Sequence, residues 1–357
     1  MSGTRQSGSG NHATLASDSS FTGRLRRFAA VVSLFPLATP FVPRPAQAQT
    51  HVVIVSGLGG EKKYTDSFAK LASTFAEAAN KRFGIPESEI LWFGEDSASK
   101  KPYFKGQSTK ANVERALTQL ASRAAAGEQV VIVLIGHGSG EHDDSKISIP
   151  GPDLTARDFS ALLGRFTTQK VAFVNLTSAS GDMLPVVAAQ NRVVITATKS
   201  AFERNESHFG EYFVDALTKD VADSDKDGRI SLFEAFTYAA AETKRLYEND
   251  TRLQTEHAQL DDMGAKAGVA DPDGRTGQGV LARRFFLDGG VVSHAATSDP
   301  QLAALYKDKF ALEDRINQLR AKKATMTSEA YDDALEELLV QLARKAKTIR
   351  EMEGRKS

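Results

Sequence analysis

Two short loops in this sequence place chemistry-bearing side chains directly after apolar runs. Gly136-His137-Gly138-Ser139-Gly140 follows Gln129–Ile135 (QVVIVLI), and Thr177-Ser178-Ala179-Ser180-Gly181-Asp182 follows Val171–Leu176 (VAFVNL). An imidazole exchanges a proton near neutral pH. A hydroxyl becomes a nucleophile when a base takes its proton. Glycines on both sides of His137 leave room for a substrate backbone, and the Gly138 N–H can face an oxyanion. If the two runs are neighbouring parallel strands, both loops leave the carboxyl edge of one sheet, where α/β folds hold their ligands. His137, Gly138 and Ser178 are therefore the candidate catalytic residues. On spacing alone, a histidine serving only as a turn residue stays open.

A third segment reads as a cation loop. Asp223, Asp225 and Asp227 stand at positions 1, 3 and 5 of a twelve-residue template. Gly228 is at the sharp turn, Arg229 offers its carbonyl at position 7, Ser231 stands at 9 and Glu234 at 12. Hard oxygens at this spacing, with Ile230 pointing inward at position 8, are the EF-hand pattern for Ca2+. The flanks, Phe209–Val221 and Leu232–Leu246, have the pattern of an entering and an exiting helix. No second hand is found. Asp261-Asp262 and Asp271-Pro272-Asp273-Gly274 have the wrong spacing and read as loop, as does Thr255-Glu256-His257. A lone hand suits a structural clamp rather than a sensor that opens.

Weaker candidates flank these segments. Asp143 and Asp144 are placed to orient His137 or to sit on a solvated loop. Glu203, Arg204 and Glu206 follow a further strand, where a pocket for a ligand side chain is expected.

Positioning those loops requires a parallel sheet. His51–Ser56, Ile90–Phe93, Gln129–Ile135, Val171–Leu176 and Val193–Thr198 are short apolar runs. Amphipathic stretches at 64–82, 109–125 and 155–166 alternate with them. Continuous apolar strands alternating with such helices indicate an α/β sandwich with a mostly parallel sheet covered on both faces. Residues 95–108 and 250–278 read as polar loops, and Val280–Leu287 (VLARRFFL) as a returning strand. After a polar joint at 293–299, residues 300–353 contain no glycine and no proline beyond Pro300. Leu302, Leu305, Leu312, Ile316 and Leu319, then Tyr331, Leu335, Leu338, Leu342 and Ile349, make two helical stripes. Two such helices joined by a turn form a hairpin that packs on the α/β body or serves self-association.

The chain has 357 residues, with 45 basic against 45 acidic side chains and no cysteine. A balanced charge gives no case for nucleic acid. The missing thiols exclude disulfides, thiolate metal sites and a cysteine nucleophile. At the N-terminus, Arg24, Arg26 and Arg27 precede an apolar run from Phe28 to Val42 that ends at Ala46-Gln47-Ala48. This order is that of an export signal cleaved near Ala48. The run is too short and too broken by Pro36 and Pro40 for a membrane anchor, which needs about 20 apolar residues. The expected organisation is an export segment over 1–48, an α/β domain over 49–292 that includes loop 223–234, and a hairpin over 300–353. The mature chain is expected to be periplasmic or extracellular, without a transmembrane segment.

The strand–HGSG and strand–SASG pairing resembles the legumain/caspase-like cysteine peptidases, in which an apolar strand ends in H-G and a later one in C-x-S-G. The likeness covers roughly residues 51–290 and is nearest to secreted bacterial members with a helical tail. It implies a caspase-like three-layer sandwich, with His137 at the family's histidine, Gly138 at its oxyanion-hole residue and Ser178 at its nucleophilic cysteine. The departure at Ser178 removes the strong nucleophile, because a hydroxyl is far less acidic than a thiol. Two functions follow. One is an exported, calcium-binding homologue, inactive as a cysteine peptidase, that binds a peptide or protein ligand in the cleft. The other is a serine-dependent endopeptidase using Ser178 and His137.

Overall fold

The centre of Thr50–Ser56, Val52 to Val55, is continuously apolar because both of its faces are buried: Val52, Ile54 and Val53, Val55 are all fully covered. The computed structural model describes residues 49–96, 98–288 and 300–354, so the expected export segment and the joint at 293–299 lie outside the described residues. In chain order the elements are β1 (Thr50–Ser56), α1 (Lys62–Lys81), β2 (Ile90–Gly94), β3 (Phe104–Gln107), α2 (Lys110–Arg123) and β4 (Gln129–Ile135). Next come β5 (Gly138–Ser139), β6 (Lys146–Ile147), β7 (Leu154–Thr155), α3 (Ala156–Leu163), β8 (Lys170–Asn175), α4 (Leu184–Val187) and β9 (Arg192–Thr196). The last are α5 (Phe209–Thr218), α6 (Leu232–Asn249), β10 (Gln259–Asp261), α7 (Pro300–Ala321) and α8 (Ser328–Gly354).

The main sheet runs β10-β9-β8-β4-β1-β2-β3. All pairs are parallel except β10 with β9. Strand order reverses between β1 and β4, which opens a crevice at their carboxyl ends. Side chains alternate across the sheet with period two. Val52 and Ile54 meet Phe75 of α1, Phe209 and Phe213 of α5 and Phe236 of α6. Val53 and Val55 meet Val113 and Leu117 of α2 and Phe159 of α3 on the opposite face. The architecture is thus a mixed α/β sandwich of three layers. Each buried Phe or Leu contributes roughly 1.5–3 kcal/mol, so the strand centres are apolar and the buried polar residues sit near the strand ends.

Several expectations change. The polar stretch 95–108 contains strand β3, which pairs with β2 while Phe104 packs edge-on against Trp92 at 5.5 Å. Neither period nor apolarity marks so short an edge strand. Segment 250–278 supplies β10, whose register opposes Leu260 to Ile195. Val280–Leu287 is not a sheet strand: it turns through a 3-10 helix at Ala282–Arg284 and meets loop 223–234 through the Phe286–Ser231 bridge, the Leu232 N–H donating to the Phe285 carbonyl at 2.9 Å, and the Arg283–Asp225 pair. Arg283 and Arg284 inside that run interrupt the alternation a strand needs. The histidine loop also forms part of a small three-stranded sheet, β5-β6-β7, that the sequence did not mark.

In the tail, α7 and α8 turn their stripes toward each other. Leu312 and Ile316 pack on Leu338, and Leu302 packs on Ile349. No helix among the described residues is long and apolar enough to cross a membrane.

Candidate functional site

Parallel pairing sets the two loops level. Leu134 of β4 lies opposite Asn175 of β8, and the Leu176 N–H donates to the Leu134 carbonyl at 2.8 Å. His137 and Ser178 each follow three residues later. Asn175, fully buried, ends β8 by accepting from the Thr177 N–H at 3.1 Å and the Thr177 hydroxyl at 2.8 Å. Ala179 takes φ of 51°, costly for a residue with a side chain, and its N–H is held by the Glu203 carbonyl at 2.8 Å. The turn leaves Ser178 facing the histidine loop.

The loops touch at Gly138. A Cβ there would lie 2.2 Å from the Ser178 carbonyl oxygen and 2.7 Å from the Thr177 hydroxyl, so only glycine fits. The Gly138 N–H donates to Ser178 Oγ at 3.4 Å. The donor expected to face an oxyanion thus faces the hydroxyl itself. The His137 ring is held differently. Tyr64 and Phe68 of α1 contact it edge to face, with centroids at 4.8 and 5.0 Å. Among the described residues, no hydrogen bond joins the His137 imidazole to Ser178 or to a carboxylate. The candidate acid–base group and the candidate nucleophile share the cleft without being coupled.

A cavity of 40 Å³ at this point is lined by Tyr64, Phe68, His137, Ser178, Glu206 and Glu211. A wider cleft of 330 Å³ opens beside it between the ends of β1 and β2, with Phe68 common to both. Its rim carries Asp66, Glu95, Asp96 and Lys101. The other hydroxyls of the serine loop are engaged. Thr177 is bound to Asn175, and Ser180 pairs with Thr198 at 3.1 Å.

The flanking charges sort themselves. Asp143 and Asp144 are exposed and pair with Arg157 at 3.4 and 3.9 Å, not with His137. Glu206 lines the cleft. Glu203 turns away to the His257 ring at 2.5 Å, and Arg204 reaches Glu141 at 4.0 Å.

In loop 223–234, Asp223, Asp225 and Asp227 bring carboxylate oxygens within 4.8 Å of one another. Asp223 folds the turn by accepting from the N–H groups of Asp227 and Gly228 at 3.1 and 2.9 Å. Lys226 and Gly228 take positive φ to complete it. Burial and the neighbouring Asp225 charge push the Asp227 carboxyl up to about 7. Burial, then Glu234 and Asp223, also raise Asp225. Such a cluster gains from a hard cation, and its all-oxygen donor set fits one. Glu234 is differently engaged. One oxygen accepts from Ser231 N–H and hydroxyl, at 3.0 and 2.9 Å, as the capping box of α6. The other accepts from Ser224 N–H at 3.1 Å. The Arg229 side chain leaves the loop, donating to Asp288 from Nε at 3.0 Å and stacking on Phe286.

No family model matches the sequence, and no curated protein matches it. Among solved structures, the chain is similar to the Drosophila initiator caspase Dronc. The TM-score is 0.42 at 10% identity, over 67% of this chain and 85% of that one. It is also similar to protein GSU0716 from Geobacter sulfurreducens, with TM-score 0.41 at 12% identity, over 66% of this chain and 97% of that one. A likeness at this level concerns the course of the chain and carries nothing about chemistry.

Two acidic groups read as loop prove to be structural. Glu256 is 2% exposed and accepts from the Ser207 hydroxyl at 2.7 Å and the His208 and Phe209 N–H groups at 2.8 and 3.1 Å. It caps α5 from a distance, where His208 offers no local side-chain cap. Asp261 and Asp262 are buried as well. Asp262 accepts from Gly279 and Ala282 N–H at 2.9 and 2.8 Å, tying the 262–282 segment to the sheet edge. No spacing rule identifies a partner so far along the chain.

Proposed function

We propose that this chain is an exported, calcium-binding relative of the legumain/caspase-like peptidases, inactive as a cysteine peptidase, that binds peptide segments in the cleft around Ser178. The observation that carries this reading is the hydroxyl at position 178. It accepts from Gly138 N–H and, among the described residues, has no imidazole hydrogen bond to remove its proton. An unassisted serine hydroxyl is a poor nucleophile at neutral pH. The glycine-floored junction between the loops retains the donor and the space that would receive a peptide carbonyl. Tyr64 and Phe68 supply apolar contact, and the Glu206 and Glu211 carboxylates favour a ligand with a basic group.

Calcium enters this reading through loop 223–234. Asp223, Asp225 and Asp227 would hold it first, with the Arg229 carbonyl and Glu234 completing the shell once Glu234 releases Ser224. The ion would supply charge neutralisation to the loop and fix α5 against α6.

Peptide-library cleavage and binding by residues 49–357 with calcium present, beside Ser178→Ala, test the reading. Binding without cleavage in both proteins is expected. Cleavage that disappears in Ser178→Ala would instead establish the serine-dependent endopeptidase.

A further inference from the structure

The hairpin meets the body at the cation loop. Lys309 of α7 donates from Nζ to the Asp227 backbone carbonyl at 2.9 Å, and the same ammonium pairs with Glu313 at 3.4 Å. One ammonium therefore bridges the loop and a carboxylate of the tail. Asp227 stands at position 5, whose side chain is a ligand oxygen while its carbonyl is not. The Lys309 contact thus uses a loop atom that a bound cation leaves available. Glu313 is half-buried at this junction, and its carboxyl is raised by burial, with Asp225 among the charges opposing its ionisation.

From these contacts we infer that α7 belongs to the metal centre: Glu313 adds a further negative charge beside the loop, and cation binding is coupled to docking of the α7–α8 hairpin. This inference rests on the calcium reading above. Without a cation, Glu313 faces the carboxylates of Asp225 and Asp227, offset in part by Lys309, by Arg229 and by Arg283, which pairs with Asp225 at 3.7 Å. A divalent cation in the loop cancels part of that negative charge, so the repulsion acting on the Glu313 carboxylate falls. The ordered turn then presents the Asp227 carbonyl to Lys309. Coupling of this kind is reciprocal: whatever the cation adds to docking, docking adds to cation affinity. The Phe286–Ser231 bridge and the Arg229–Asp288 pair fix the loop's other side to the chain that leads into the tail. Loop and hairpin are thereby joined at both ends.

The test uses the full mature chain. Hydrogen exchange of α7 amides is followed with calcium and with chelator, and calcium affinity is measured by calorimetry. Calcium is expected to slow α7 exchange by about fivefold or more, and Glu313→Gln to weaken calcium by about fivefold. Lys309→Met should speed α7 exchange while leaving exchange in β1 and β4 unchanged, which separates undocking from misfolding. Calcium binding with no change in α7 exchange, and wild-type affinity in Glu313→Gln, would overturn the coupling while leaving the loop assignment standing. Absence of calorimetric binding would overturn the calcium reading and the coupling with it.

Discussion

Gly138 and Ser178 sit against each other so closely that the N–H of the first donates to the hydroxyl of the second at 3.4 Å, and no Cβ fits between their loops. The contact joins two strand ends that are 40 residues apart in sequence. The glycine donor thus meets an oxygen, and among the described residues no imidazole or carboxylate is hydrogen-bonded to that oxygen. A ligand carbonyl entering the cleft competes with the Ser178 hydroxyl for the same N–H.

The chain contains no cysteine, so Ser178→Cys places a single thiol in the protein. A thiol ionises near pH 8.5 and needs less help than a hydroxyl to react. The expected outcome is alkylation at position 178 by a peptidyl electrophile, read by mass spectrometry, with the wild-type protein unlabelled. His137→Ala in the same background should slow labelling by about tenfold if the imidazole acts on the thiolate. Labelling of wild-type Ser178 at a comparable rate would refute the inactive reading.

Much of the architecture is legible because burial on two faces leaves its mark on composition. β1, β4 and β8 read as apolar runs, and the β4–β8 parallel pairing brings the loops after those two strands to one sheet edge, as expected for neighbouring parallel strands. The elements that escaped are short or held from afar. β3 and β10 are edge strands of four and three residues, stabilised by a neighbouring ladder rather than by their own pattern. The site was legible as residue types but not as couplings. Nothing local says that Tyr64 and Phe68 hold the His137 ring, or that Glu256 reaches α5 across 47 residues.

Glu256 makes a strong test of that last point. It is buried and receives two backbone N–H groups and a hydroxyl at the start of α5. Charge-assisted hydrogen bonds of this kind are worth about 1.5–3 kcal/mol. Glu256→Ala should therefore cost about 3 kcal/mol in urea unfolding. It should also raise amide exchange first at Phe209 and its neighbours. A surface-like effect below about 0.5 kcal/mol would contradict the capping role.

On the proposal that loop 223–234 holds calcium, removing the ion should separate two effects at Asp227. With calcium at about 100 times its dissociation constant, binding adds roughly 2.7 kcal/mol to the folded state, and a chelator takes it away. Asp227→Asn abolishes that calcium-dependent shift in Tm. In chelator the same variant should melt at or above the wild type, because one of three carboxylates crowded within 4.8 Å has been neutralised. The two melting curves are expected to cross in order between the two conditions. A variant less stable than wild type in both would show that Asp227 acts through its hydrogen bond to Arg229 rather than through charge.

Asp158 gives the pH dependence with a definite sign. It is the N3 residue of the α3 capping box, accepting from Thr155 N–H and hydroxyl at 2.9 Å, and it pairs with Lys110 at 2.6 Å. Burial pushes its carboxyl up, but the Lys110 and Thr155 hydrogen bonds outweigh that and hold it below the ordinary 3.8. A carboxyl depressed in the folded state stabilises the fold above its unfolded value, and that contribution disappears as pH falls through the folded value. Asp158→Asn should thus cost about 1 kcal/mol at neutral pH, the scale of a lost cap. The difference between variant and wild type should shrink below pH 3.8. Urea unfolding of both proteins across the acid range measures it. A penalty that stays constant into acid would mean that shape, not charge, makes Asp158 matter at the head of α3.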